Sequence, residues 1–198
     1  MPSRPLLLAS SSPYRRELLE RLGLPFETAS PDIDETPLPT DTPESLALRL
    51  AKSKAHALAE RFPNHWIIGS DQVACLPDGN LLAKPGNHQQ AIDQLQRSSG
   101  QSVRFLTGLA LLSPGEQRLQ SHCEHFAVHF RTLTTEEIDA YLRREQPYDC
   151  AGSFRMEGLG ITLFEAMEGR DPNSLIGLPL IALIDMMRNW GLNPLLDA

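Results

Sequence analysis

Four consecutive apolar residues, Leu6 to Ala9, run directly into three serines, a proline and an amphipathic stretch that ends at Gly23. An apolar run this short, bounded by turn residues, predicts a buried strand. Beyond it, Leu18, Leu19 and Leu22 share one helical face, and glycine stops the pattern. Serine before Pro13 marks the helix start, because the hydroxyl caps free amides and proline suits the first turn. A buried strand feeding a helix through a tight turn is a unit from which α/β folds are built. The same turn carries Arg15 and Arg16, where the helix dipole alone would favour acidic side chains. Amides, hydroxyls and guanidinium groups converge there on what reads as an anion site, most simply for phosphate. For an isolated S-P-x-R-R string, a capped surface helix with solvated arginines is the slightly stronger reading, so the rest of the chain decides.

Strand and helix signals continue to alternate. A second short strand is expected over residues 25–29, followed by the proline-rich, acidic loop SPDIDETPLPTDTP. A long helix is expected over 44–61, with Leu46, Leu50, Ala57 and Leu58 as its apolar stripe. The segment 66–76 opens as a buried strand and is expected to turn at Gly69. A helix over 88–97 precedes two strands, 103–112 and 124–133, joined by a Ser-Pro-Gly turn. In the second, Phe126, Val128 and Phe130 alternate with His125, Ala127 and His129. Thr134 caps a helix ending near Arg144. The glycine-rich passage CAGSFRMEGLG leads into a strand, ITLFEAMEG, and the chain closes with a helix over 174–189. With one hairpin amid this alternation, the expected fold is α/β, a mixed twisted sheet with flanking helices, in a single domain over 1–198.

A net charge of −7 argues against a nucleic-acid coat, which needs a broad basic face. Arginines and lysines gathered at particular junctions of an acidic chain point instead to a small anionic ligand. No apolar stretch approaches a membrane span of about 20 residues, and the start lacks the pattern of a signal peptide. Cys75, Cys123 and Cys150 are odd in number and form no C-x-x-C pair, so a reducing cytoplasmic setting is expected.

Chemistry-bearing residues cluster at strand ends and in loops. Asp32, Asp34 and Glu35 form an acidic knot whose hard oxygens suit a divalent cation, although spacing alone favours a solvated turn. Asp71, at the mouth of the buried strand, is a candidate general base or metal ligand, with a helix cap as the competing reading. Lys54 on the long helix and Lys84 in AKPG could neutralise phosphate or lie on solvated faces; for Lys52 the solvated reading is preferred. His122, Cys123, His125 and His129 resemble metal ligands at first, but His125 and His129 are too far apart along a strand to chelate. They are read as exposed, with zinc the lesser reading. The chain has no G-x-x-x-x-G-K-[ST] loop and no G-x-S-x-G elbow.

Taken in order, LASSSPYRRELL, SPDIDE, LAKSKA, GSDQV, AKP, TGLAL, F-x-V-x-F, CAGSF and DPNSLIGLPL resemble the Maf family of nucleotide pyrophosphatases over nearly the whole chain. The resemblance implies a fold like that of the inosine triphosphate pyrophosphatases, with two lobes around a cleft, and a homodimer. It implies hydrolysis of a nucleoside triphosphate to monophosphate and pyrophosphate with a divalent metal cation (Mg or Mn). By position it makes Ser10, Arg15, Lys54 and Lys84 phosphate contacts, Glu35 a metal-site residue and Asp71 the proton acceptor.

Three departures from the family pattern bear on the base. Tyr14 stands where most members have arginine, Gln72 where they have threonine, and Glu157 where they have glutamine. The combination resembles the subfamily acting on 7-methylguanosine triphosphate, which more often has tryptophan at the Tyr14 position and glycine at Ala83. Methylation makes guanine cationic, and an aromatic face attracts it by ~0.5–2 kcal/mol. A glutamate can accept from guanine's ring N–H and exocyclic amine together, whereas uracil would set carbonyls against it. Other readings are the same chemistry on thymidine or uridine triphosphate, a nucleotide-binding regulator of septum formation, and a phosphosugar nucleotidyltransferase.

Overall fold

In a computed structural model describing residues 4–197, Leu6–Ala9 is β1, buried along its whole length. It lies in parallel between β2 (Phe26–Ala29) and β3 (Trp66–Cys75). β4 (Ser102–Ser113) and β5 (Arg118–Phe130) then pair antiparallel, and β6 (Phe164–Gly169) closes the far edge. The six strands are ordered β2-β1-β3-β4-β5-β6, a mixed sheet as the alternation of signals predicts.

Helices cover both faces because the strand residues alternate. Leu6 and Leu8 of β1 pack with Leu18 and Leu19 of α1 (Pro13–Glu20) and with Leu183 and Met187 of α6 (Leu180–Asn189). Leu7 and Ala9 face the other way, onto Ala51 and Ala55 of α2 (Pro43–Ala57). Beyond them, α3 (His88–Ser98) and α4 (Thr135–Glu145) join Val103, Phe105, Phe126, Val128 and Phe130 in a third apolar cluster. No helix among the described residues is long and apolar enough to cross a membrane.

Local chemistry accounts for the helix starts. Thr42 and Thr134 each close a capping box, with Ser45 and Glu137 as the reciprocal partners. Ser12 accepts from the Arg15 amide, with Pro13 at the first helical position.

Five sequence expectations need correction: β5 begins at Arg118 and ends at Phe130 rather than spanning 124–133, α2 stops at Ala57 short of residue 61, and three others differ in kind. β3 does not turn at Gly69 but continues to Cys75, paired throughout with β4. Glycine is there because α2 crosses so closely that a Cβ would lie 2.1 Å from the Ala51 carbonyl oxygen. The expected C-terminal helix is two, α5 (Asn173–Ile176) and α6, broken where Gly177 takes φ +124° ahead of Pro179. The strand expected to begin at Ile161 begins at Phe164, the residues before it forming a 3-10 turn, Leu159–Leu163.

Candidate active site

β1 ends at Ala9, and its pairing with β3 stops at Leu8 opposite Ile68. From Gly69 to Val73 β3 is paired only with β4, before Ala74 and Cys75 meet Leu82 and Leu81, so the other edge of that stretch opens on a cavity of about 680 Å³, within the range of ligand sites. Asp71 is therefore no strand terminus. It sits inside β3 opposite Gly108, just beyond the end of β1, and its carboxylate reaches the cavity. The helix-cap reading of Asp71 fails on the same ground. Crevices at the ends of parallel strands are where open α/β sheets hold ligands.

Lys54 anchors the polar floor. It rides the last turn of α2, and its Nζ donates to Asp71 Oδ1 at 2.6 Å while lying 2.7 Å from Glu35 Oε1. The lysine and Asp71 side chains are only 9% and 11% exposed, so Lys54 is not on the solvated face that its place in the sequence allows. Glu35, more exposed, is the one member of the acidic knot turned to this lysine. Asp34 instead accepts from the Thr36 amide at 2.9 Å, tightening its own loop. Burial alone would raise the Glu35 carboxyl, but the hydrogen bond and charge of Lys54, with Lys84 and Arg15 beyond, hold it below its usual range.

That depression fixes the sign of a pH effect. Glutamates of the unfolded chain titrate near 4.5, so the stability contributed by this pairing is complete above that pH. It is lost as the pH falls through the lower folded value. Thermal melts should show the wild type ahead of Glu35→Gln at neutral pH and the two converging below 4.5; a gap constant across that window would contradict the pairing.

Above this floor stands the strand-to-helix turn. Ser10 Oγ accepts from the Ser12 amide at 3.1 Å and from Arg15 Nη1 at 3.5 Å. Arg15 Nε donates to the Gly177 carbonyl at 2.8 Å, and Ser70 Oγ donates to that same carbonyl at 2.8 Å. Desolvation lowers the Arg15 guanidinium, against the pull of Asp71 and Glu35. Lys84, exposed, joins the cavity lining from the segment before α3. The structure thus brings Ser10, Arg15, Glu35, Lys54, Asp71 and Lys84 to one cavity.

At the other end of the cavity lie Tyr14, Asp149, Cys150, Arg155 and Glu157. Burial raises the Tyr14 phenol, as do the nearby Cys150, Asp149 and Glu157, while Arg155 opposes them. Gln72 also lines the cavity, with its amide nitrogen committed to the protein. It donates to Thr107 Oγ1 and to the carbonyls of Ser174 and Leu175 at 2.7–3.2 Å, tying α5 to the sheet. Only its oxygen is left to meet a ligand.

Sequence reading passed over Arg155 and Ser70. The signal for Arg155 was a lone basic residue two positions before Glu157, in a loop otherwise glycine-rich; Ser70 carried no signal beyond its place next to Asp71.

Two carboxylates, Glu35 and Asp71, converge on a single ammonium beside an arginine and serine cradle, a donor set that suits a hard divalent cation shared with phosphate oxygens. The histidine and cysteine cluster is different. Glu44, Cys123 and His125 bring ligand atoms within 4.8 Å of one another, but none of the three lines the cavity. Burial, with Glu44 and Glu124, pushes the Cys123 thiol up to about 12. His129 lies apart from them, 3.4 Å from Glu168. The three cysteines are free.

A family model described as Maf-like protein matches residues 5–190 of the chain.

Proposed function

The chain belongs to the Maf-like protein family, a family of nucleoside triphosphate pyrophosphatases, and we propose that its own substrate is 7-methylguanosine triphosphate, cleaved to 7-methylguanosine monophosphate and pyrophosphate. The observation that carries the hydrolytic reading is the buried Lys54–Asp71 pair at the open edge of β3. Lys54 occupies Asp71 Oδ1, and among the described residues no hydrogen bond engages Oδ2. Asp71 would use that second oxygen to take a proton from water as the water attacks the α-phosphorus. The bond from that phosphorus to the bridging oxygen breaks, and pyrophosphate leaves with the electron pair. Ser10, Arg15 and Lys84 hold the phosphate chain, and Lys54 sits where negative charge develops. Glu35 would hold the divalent cation, which supplies charge neutralisation on the phosphates when bound.

The base assignment rests on the other end of the cavity. Tyr14 offers an aromatic face, and the carboxylates of Asp149 and Glu157 lie close enough to act on its phenol. An anionic, aromatic pocket favours a cationic ring, by ~0.5–2 kcal/mol from the aromatic face alone. Glu157 supplies two acceptor oxygens for guanine's ring N–H and amine.

A panel of nucleotides assayed for pyrophosphate release with magnesium or manganese tests this reading. Turnover of 7-methylguanosine triphosphate well above that of uridine or thymidine triphosphate is expected; pyrimidine turnover alone would refute it. Combining Tyr14→Arg with Glu157→Gln should shift the ratio toward pyrimidines by about 100-fold, the scale of one charged hydrogen-bond pair plus a cation–π contact.

A further inference from the structure

Against Tyr14, in the loop that also carries Glu157, lies a guanidinium with no task so far in the proposed reaction. Phe154, packed edge-on against Phe105, Phe130 and Phe164, anchors the chain just before Arg155. The Arg155 amide then donates to Tyr141 Oη at 3.0 Å, and its carbonyl accepts from the Gly158 and Gly160 amides. Gly160 approaches so closely that a Cβ there would lie 2.2 Å from the Arg155 carbonyl oxygen. The backbone of this residue is clamped from three sides, in a loop of the cavity wall.

Its side chain is held more loosely. Nη2 donates to Tyr14 Oη at 2.7 Å, and the guanidinium carbon lies 5.3 Å from the centre of the Tyr14 ring. Nη1 stands 3.5 Å from Glu145 Oε1, a carboxylate already fixed by the Leu159 amide at 2.7 Å. Nε is buried and has no partner. A guanidinium carries five donors in a planar fork, so this one retains donors for an acceptor that the protein does not supply. The side chain is 29% exposed, and beyond the contacts with Tyr14 and Glu145 its two terminal nitrogens keep hydrogens that a ligand can meet.

We infer that Arg155 is a specificity-determining residue that donates to the 6-carbonyl oxygen of the purine while Glu157 accepts from the adjacent ring N–H and amine. This rests on the purine assignment proposed above. A donor set beside a carboxylate is complementary to the acceptor–donor–donor edge of a 6-oxopurine. Adenine, which presents an amine at that corner, would place donor against donor. The cation of the methylated ring is not repelled on balance, because Glu145 lies 3.5 Å from Arg155 and the Asp149 and Glu157 carboxylates lie near the Tyr14 phenol beside it. The sulfur of a 6-thio analogue is a weaker acceptor and isolates this one contact.

Pyrophosphate release from 7-methylguanosine triphosphate and its 6-thio analogue is to be measured for wild type, Arg155→Met and Arg155→Lys, with UTP as reference and thermal melts confirming folding. For the oxo substrate, Arg155→Met should raise KM about 10- to 100-fold with kcat little changed, the scale of a hydrogen bond to a charged donor. Lysine should recover part of that loss. The wild type should lose on the thio analogue, while Arg155→Met treats the two purines alike; UTP turnover should be unaffected by the substitution. If the wild type accepts 7-methylguanosine triphosphate but Arg155→Met weakens oxo, thio and UTP equally, or none of them, this inference falls and the substrate stands. Turnover of UTP alone overturns both.

Discussion

Asp71→Asn should lower the rate of pyrophosphate release by about 10²- to 10⁴-fold, the contribution usual for a positioned general base. The substitution is nearly isosteric. Its amide oxygen can still accept the hydrogen bond that Lys54 now gives to Oδ1, and Lys54 keeps its second partner in Glu35. What changes is the atom at Oδ2, an acceptor turned into a donor that can take no proton. The loss should fall in kcat, with KM nearly unchanged, because the proposed phosphate contacts are Ser10, Arg15 and Lys84. Thermal melts should show a folded protein. Pyrophosphate release within threefold of wild type would remove Asp71 from the chemistry.

The largest effect on stability is expected at glycines that have no contact with a ligand. A Cβ on Gly69 would meet the Ala51 carbonyl oxygen at 2.1 Å and the Ala55 amide nitrogen at 2.9 Å, both backbone atoms of α2. On Gly108, in the neighbouring strand, it would meet the Ala47 carbonyl oxygen at 2.2 Å. No rotamer relieves such a clash, so the whole helix must lift. Overpacking usually costs ~1–3 kcal/mol, and rigid backbone on the receiving side puts Gly69→Ala at about 3 kcal/mol or more. Gly79→Ala is the control. That glycine has φ +87° and nothing within 4 Å, so only the left-handed backbone is strained, at ~1–2 kcal/mol. Urea unfolding should show Gly69→Ala, and Gly108→Ala with it, losing more than Gly79→Ala. Equal losses at Gly69 and Gly79 would mean that α2 yields easily. Because α2 carries Lys54, the folded fraction of Gly69→Ala should also release pyrophosphate more slowly.

Those glycines show which parts of the fold could be read in advance. The first strand and helix were legible because their determinants are local: apolar residues in a row, Ser12 and Pro13 at the helix start, leucines on one face. The inward Phe126, Val128 and Phe130 of β5 were legible for the same reason. Gly69 was not. Its sequence context, glycine followed by serine and aspartate, is that of a turn, and only a helix arriving from residues 47–55 explains a strand. The break between α5 and α6 was hidden by an apolar periodicity that runs through Gly177 and Pro179. At the cavity, the residues carrying the resemblance were visible by motif, but their pairings were not. Nothing local ties Lys54 to both Glu35 and Asp71, commits the Gln72 amide to Ser174 and Leu175, or sets Arg155 against a tyrosine 141 positions earlier.

The shared carbonyl of Gly177 bears on when the protein can act. It receives Arg15 across 162 positions and Ser70 across 107. Contacts of that span form late, since the intervening chain must first be closed into a loop. During synthesis the first strand, the first helix and Asp71 leave the ribosome long before residue 177 is made. Until then Arg15 keeps its local contact with Ser10 but lacks the carbonyl that holds its Nε. A chain ending before residue 177 would carry Asp71, the proposed base, without the carbonyl that fixes Arg15, the proposed phosphate contact.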